Sequence, residues 1–172
     1  LVYLDSCINL SIEIKDVGRL GSAVSIVNYI LGIQEKFEEL LSVNQKVLDF
    51  AHSVGDSALI AKTKIGATYI YDNTKEYDKA IAINNDLIEN YLDVLSGGYK
   101  EKLYINQSYF YYENGDYFNA VNYGLSGYQM NPKSPGALYN LADAYLAAYK
   151  DTTINKQEIL PQKINLEVRV GG

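Results

Sequence analysis

In the C-terminal half of the chain, residues recur 34 positions apart with helical spacing, and this recurrence restricts the fold more than any other property of the sequence. Tyr104, Gln107, Ser108 and Tyr111 are followed by Leu138, Leu141, Ala142 and Tyr145. Between the two sets lie Gly115-Asp116-Tyr117, Ala120 and Asn131-Pro132. A fixed period of this length is the signature of stacked helix pairs, in which no unit buries its apolar face alone and its neighbours supply the missing surface. Such arrays rarely perform chemistry and instead present extended surfaces to peptides or other proteins.

The punctuation agrees with that period. Gly115 can take the left-handed conformation that ends a helix, and Asp116 can cap the next one. Asn131-Pro132 closes the following helix, because proline has no amide hydrogen and biases its predecessor away from the α region. Ser134-Pro135 then opens another, with serine as cap and proline at the first helical position.

Upstream, Lys75-Glu76-Tyr77-Asp78-Lys79-Ala80 aligns with Gly115 to Ala120 at an offset of 40. The six extra residues fall near Leu92 to Gly98 and are expected to lengthen the preceding helix by up to ~9 Å before Gly97-Gly98 stops it. Phe37 and Leu40 stand a further 40 residues back, with a helix end at Val54-Gly55-Asp56; before Phe37 the register is expected to dissolve. Apolar spacing of three, four and seven, as in Phe37, Leu40, Leu41, Val47, Leu48 and Ala51, supports helices throughout. Eight are predicted, at about 2–16, 21–32, 34–54, 57–72, 75–95, 99–113, 117–130 and 135–149. Residues 163–170 alternate apolar and polar as a strand does, so 161–172 reads as an extended tail or boundary segment after a helical domain spanning 1–160.

Composition excludes several functions. A formal charge of −6 opposes nucleic-acid binding, which draws its affinity from lysine and arginine on phosphates. No window approaches 18 consecutive apolar residues, so no membrane span is expected. The single cysteine, Cys7, rules out an internal disulfide or a cysteine-based zinc site and is expected to be a small buried hydrophobe. The only histidine, His52, has no partner for a metal site or a catalytic triad, and no phosphate-cradling glycine loop is present. No catalytic residue, metal or cofactor is nominated. The sequence opens on Leu1 rather than methionine and reads as a fragment whose remaining segments lie elsewhere, with the cytoplasm as the expected location.

With Tyr104, Gln107-Ser108, Tyr111, Gly115-Asp116-Tyr117, Ala120 and Pro132 at their repeat positions, and Leu141-Ala142 and Tyr145 beginning the next unit, the chain resembles the tetratricopeptide-repeat family. The best-defined repeats are 57–98, 99–134 and 135–150. The resemblance implies an all-α, right-handed superhelical solenoid of antiparallel helix pairs. It also implies that the first helix of each pair lines a concave face. By that geometry the peptide-binding candidates are Lys102, Ile105, Asn106, Tyr109, Tyr112, Glu113, Tyr139, Asn140 and Asp143.

Asn106 and Asn140 are equivalent in the 34-residue register, and each amide could donate and accept toward an extended backbone. Tyr109, Tyr112 and Tyr139 stand outside the positions that the repeat needs for packing. The lysine and asparagine with which the family clamps acidic C-termini are replaced by Ile105 and Tyr109, then Tyr139 and Asp143. Glu113 and Asp143 favour a neutral or basic protein or peptide partner instead. Departures from the family pattern at Gly124 and Gly127 cost roughly 2 kcal/mol in helix propensity and imply close packing, with a neighbouring aromatic approaching them.

The expected function is a non-catalytic binding module, the ligand- or partner-binding region of a larger bacterial regulatory or signalling protein. The alternatives are a scaffold for oligomeric assembly, which leaves homo-oligomerisation open, and a sensor region attached to a catalytic domain outside this sequence.

Overall fold

The computed structural model describes residues 2–159. Among them the chain forms α1 (Val2–Glu13), α2 (Val17–Ile33), α3 (Phe37–Val54), α4 (Ser57–Asn73), α5 (Tyr77–Asn90), a 3-10 turn (Leu92–Val94), α6 (Gly97–Glu113), α7 (Tyr117–Met130), α8 (Pro135–Lys150) and the short α9 (Lys156–Ile159). No strand occurs among the described residues. The alternating segment 163–170 and the boundary expected at 161 lie outside them.

One turn is used five times. Lys15, Glu35, Gly55, Lys75 and Gly115 all have positive φ, so left-handed residues fall every 20 positions from Lys15 to Lys75 and once more 40 positions later. After each, the next amide donates five residues back: Asp16 to Ser11, Lys36 to Leu31, Asp56 to Ala51, Glu76 to Tyr71 and Asp116 to Tyr111, at 2.8–3.0 Å. This is the hydrogen bond that satisfies a helix's last carbonyls when the chain turns left-handed. At three of the turns the same donor residue caps the next helix, as Asp16, Asp56 and Asp116 accept from the amides of Arg19, Leu59 and Asn119. Five positions after each left-handed residue stands a buried apolar side chain: Leu20, Leu40, Ile60, Ala80 and Ala120. The register therefore does not dissolve before Phe37 but persists to Lys15, and α2 begins at Val17 rather than residue 21.

Each helix packs against its neighbours in the chain, and α2 also touches α4, as α6 touches α8. The core changes character along this row. Around α1 to α4 it is aliphatic, built on Ile8, Leu20, Val27, Leu31, Leu40 and Val47. Around α7 and α8 it consists of Ala120, Val121, Ala144 and Ala148, with Tyr111, Tyr112, Tyr117 and Tyr145 against them.

Three expectations are corrected by packing. The helix expected over 75–95 stops at Asn90, and the extra residues form a 3-10 knuckle instead of added helix. The knuckle delivers Leu95 into a cluster with Ala61, Leu87 and Leu103. Cys7 is exposed, because α1 turns the next residue, Ile8, inward. Gly124 and Gly127 do allow close packing, but the nearest atoms at Gly124 are not aromatic: a Cβ there would lie 2.9 Å from Ser108 Oγ and 3.3 Å from Leu141 Cα, whereas one at Gly127 would lie 3.6 Å from Tyr104 Cβ. At Gly127 it would also lie 3.2 Å from Ile105 Cγ1.

Candidate functional site

Six of the nine side chains nominated from the sequence converge. Tyr109, Tyr112 and Glu113 in the last turns of α6, with Tyr139, Asn140 and Asp143 in the first half of α8, line one concavity of about 260 Å³. Helical spacing explains the grouping: residues three and four apart share a face, so each helix contributes a short row. The walls are held from behind. Tyr77 meets Tyr109 edge-on, with ring centroids 6.3 Å apart and planes at 90°, and Tyr112 leans on Tyr117 at 5.7 Å. Tyr139 is free by contrast, with 70% of its surface exposed.

The electrostatics of the concavity are negative. Burial pushes the Tyr109 phenol well above its usual range, reinforced by its hydrogen bond with Tyr77 and by the charges of Asp72 and Glu113. Tyr112 is raised as well, by desolvation first and then by Asp143 and Glu113. Both rings are therefore neutral phenols at physiological pH. Asp72, in the last turn of α4, is also raised, mainly by burial and further by Glu113, while the hydrogen bond from Tyr109 opposes the shift. Tyr77 donates to Glu113 Oε2 at 3.5 Å, closing a network across α4, α5 and α6.

The other three candidates lie elsewhere. Ile105 is packed behind the site against the backbone of Gly127 and beside Gly136. Lys102 and Asn106 are exposed and do not line the concavity. The equivalence of Asn106 and Asn140 also ends at the sequence. Asn140 Nδ2 donates to Ile105 O at 3.0 Å and so ties α8 to α6, whereas Asn106 has no hydrogen-bond partner among the described residues. Sequence reasoning missed Asp72 and assigned Tyr77 to packing alone. Asp72 stands 40 residues before Tyr112, so following the longer register into α4 would have found it.

The same register marks a second recess. Tyr29, Tyr69 and Tyr109 are spaced by 40 on α2, α4 and α6. Tyr29 and Tyr69, with Ile33, Ile65, Gly32 and Gly66, border a groove of about 420 Å³ between α2 and α4 that is mostly apolar. Tyr69 lies over α2 at Gly32, where a Cβ would stand 3.5 Å from its ring.

Among the described residues, no group of three or more His, Cys, Asp or Glu side chains is arranged to hold a metal ion. No helix there is long and apolar enough to cross a membrane. Compared with known proteins, the chain matches no family model and no curated protein, so its functional reading rests on the geometry of these two recesses.

Proposed function

We propose that this chain is a tetratricopeptide-like solenoid whose even-numbered helices line a concave face that binds an extended, neutral or basic protein segment. It acts as a non-catalytic module, the partner-binding region of a larger regulatory protein. The observation that carries this reading is the convergence of Tyr109, Tyr112 and Glu113 with Tyr139, Asn140 and Asp143 from two successive even-numbered helices. Tyrosine offers large amphipathic contact area with few rotors to immobilise, which suits recognition of a partner that arrives unfolded. The apolar groove between α2 and α4 continues the same side of the helix row with pockets for aliphatic side chains. The 20-residue turn spacing and the pairwise packing support the repeat architecture.

Selection of a random dodecapeptide display library against the 172-residue chain tests the proposal. Enriched peptides should lose at least tenfold in affinity for a Tyr112→Ala/Tyr139→Ala variant and retain it for Asn122→Ala/Gln129→Ala, a pair exposed on α7. Enriched peptides that respond only to the α7 pair would overturn the reading.

A further inference from the structure

We propose that the concavity between α6 and α8 receives one cationic side chain of the partner, an arginine guanidinium in preference to a lysine ammonium. The inference rests on the peptide-binding reading above and adds the chemistry that the pocket selects.

The lining sets two carboxylates among phenol rings and an amide. Glu113 and Asp143 present carboxylates that form no ion pair among the described residues. Asn140 spends one amide hydrogen on Ile105 O, at 3.0 Å, and its Oδ1 makes no hydrogen bond among the described residues. Tyr109 lines the pocket with a ring that is packed edge-on against Tyr77. A guanidinium matches this inventory, since it carries five N–H donors and no acceptor.

Shape points the same way. Tyr109 and Tyr112 are fixed by Tyr77 and Tyr117, so two of the three aromatic walls stand in place before a ligand arrives. A cation over a tyrosine face gains from the ring quadrupole, and a planar guanidinium can stack on one ring while its edge reaches a carboxylate. The nearest lysine on α8 does not fill this role. Lys150 borders the adjoining recess that shares Tyr112 and Asp143, yet it makes no ion pair with Asp143.

The test uses blocked pentapeptides Ac-Ala-Ala-Arg-Ala-Ala-NH2 and the same peptide with citrulline, which keeps the shape and removes the charge. Each is titrated into the 172-residue chain while the resonances of Tyr112, Tyr139 and Asn140 are followed by NMR. The arginine peptide should bind about tenfold more tightly than the citrulline peptide. That preference should shrink at high salt and vanish in Glu113→Gln/Asp143→Asn, whose helical circular dichroism should match wild type. Equal affinities at the same resonances would overturn cation selection and leave the peptide-binding face intact. Movement of none of these resonances with either peptide would overturn both readings.

Discussion

The α2/α4 and α4/α6 junctions occupy corresponding places in the 40-residue register and have opposite chemistry. At the first, Tyr69 rests on Gly32, and the recess it borders is mostly apolar. Forty residues on, Tyr109 occupies the same register position, but the residue facing it is Asp72, and the ring becomes part of a hydrogen-bonded acidic wall. Buried asparagines diverge in parallel. Asn44 donates only to Leu40 O within its own helix; its Oδ1, like that of Asn84, has no partner. Asn84 donates across to Leu103 O at 2.8 Å and Gln107 Oε1 at 2.7 Å, in a network that Gln107 extends to Asn85 and Asn85 to Tyr123. One backbone plan thus carries two surfaces, and single residues opposite a shared tyrosine decide which. The asymmetry also predicts unequal responses to matched substitutions.

The largest contrast lies in the glycines. Gly124 brings α7 within contact of both Ser108 on α6 and the Leu141 backbone on α8, whereas a Cβ at Gly21 on α2 would meet nothing within 4 Å. Gly124→Val should cost about 3 kcal/mol in urea unfolding, because the added volume meets backbone that cannot rotate away. Gly21→Ala should instead stabilise by roughly 0.5–1 kcal/mol through helix propensity. Wild-type stability in Gly124→Val would remove the claim that the α6/α8 concavity is held by close packing behind it.

The matched asparagines come next. Asn84→Leu removes two cross-helix hydrogen bonds and strands Gln107 Oε1 in a fully buried site, an expected loss of about 2 kcal/mol. Both substitutions remove an unpartnered Oδ1, but Asn44→Leu discards only one intrahelical bond, so its cost should stay below about 1 kcal/mol. Equal losses at the two positions would mean that the amide network contributes no more than a generic buried polar group.

These contrasts also show where sequence patterns stop. Turns marked by Gly55, Gly115 or Pro135 were legible, since those residues impose the backbone they occupy. The turn at Lys75 was legible only through its alignment with Gly115, and those at Lys15 and Glu35 were not, because residues with no left-handed preference adopt it there to complete the same hydrogen bond. The grouping of Tyr112, Tyr139 and Asp143 followed from the concave-face geometry that the family resemblance implies. Whether Asn140 faced a ligand or the neighbouring helix did not, since that depends on where Ile105 O lies after packing. Cys7 and Ile8 differ by a single step of helix phase, which an amphipathic pattern this weak cannot fix.

A smaller effect separates the shared tyrosines. Tyr109→Phe deletes the hydroxyl that satisfies Asp72 and should cost about 1 kcal/mol. Tyr69 has no hydroxyl partner among the described residues, so Tyr69→Phe should fall within about 0.5 kcal/mol of wild type in the same thermal or urea measurement. Comparable effects at both positions would erase the chemical distinction between Gly32 and Asp72.

The weakest and most specific probe is the pH dependence of Asp72→Asn. Burial, aided by Glu113, holds the Asp72 carboxyl above the ordinary aspartate range despite the hydrogen bond from Tyr109. The folded chain therefore binds this proton more tightly than the unfolded chain, and the linked stability is complete below about pH 4 and is lost as pH rises through the elevated value. An amide cannot ionise, so Asp72→Asn should avoid that loss. Relative to its acid baseline, the variant should gain a few tenths of a kcal/mol once pH has risen past the elevated value, after allowance for solvent screening of a half-exposed group. Glu113→Gln should shift the wild-type transition toward lower pH by removing one of the charges that raises it. A stability difference that stays flat from pH 3 to 7 would show that Asp72 serves Tyr109 as a hydrogen-bond acceptor only, and that its charge does not bear on the fold.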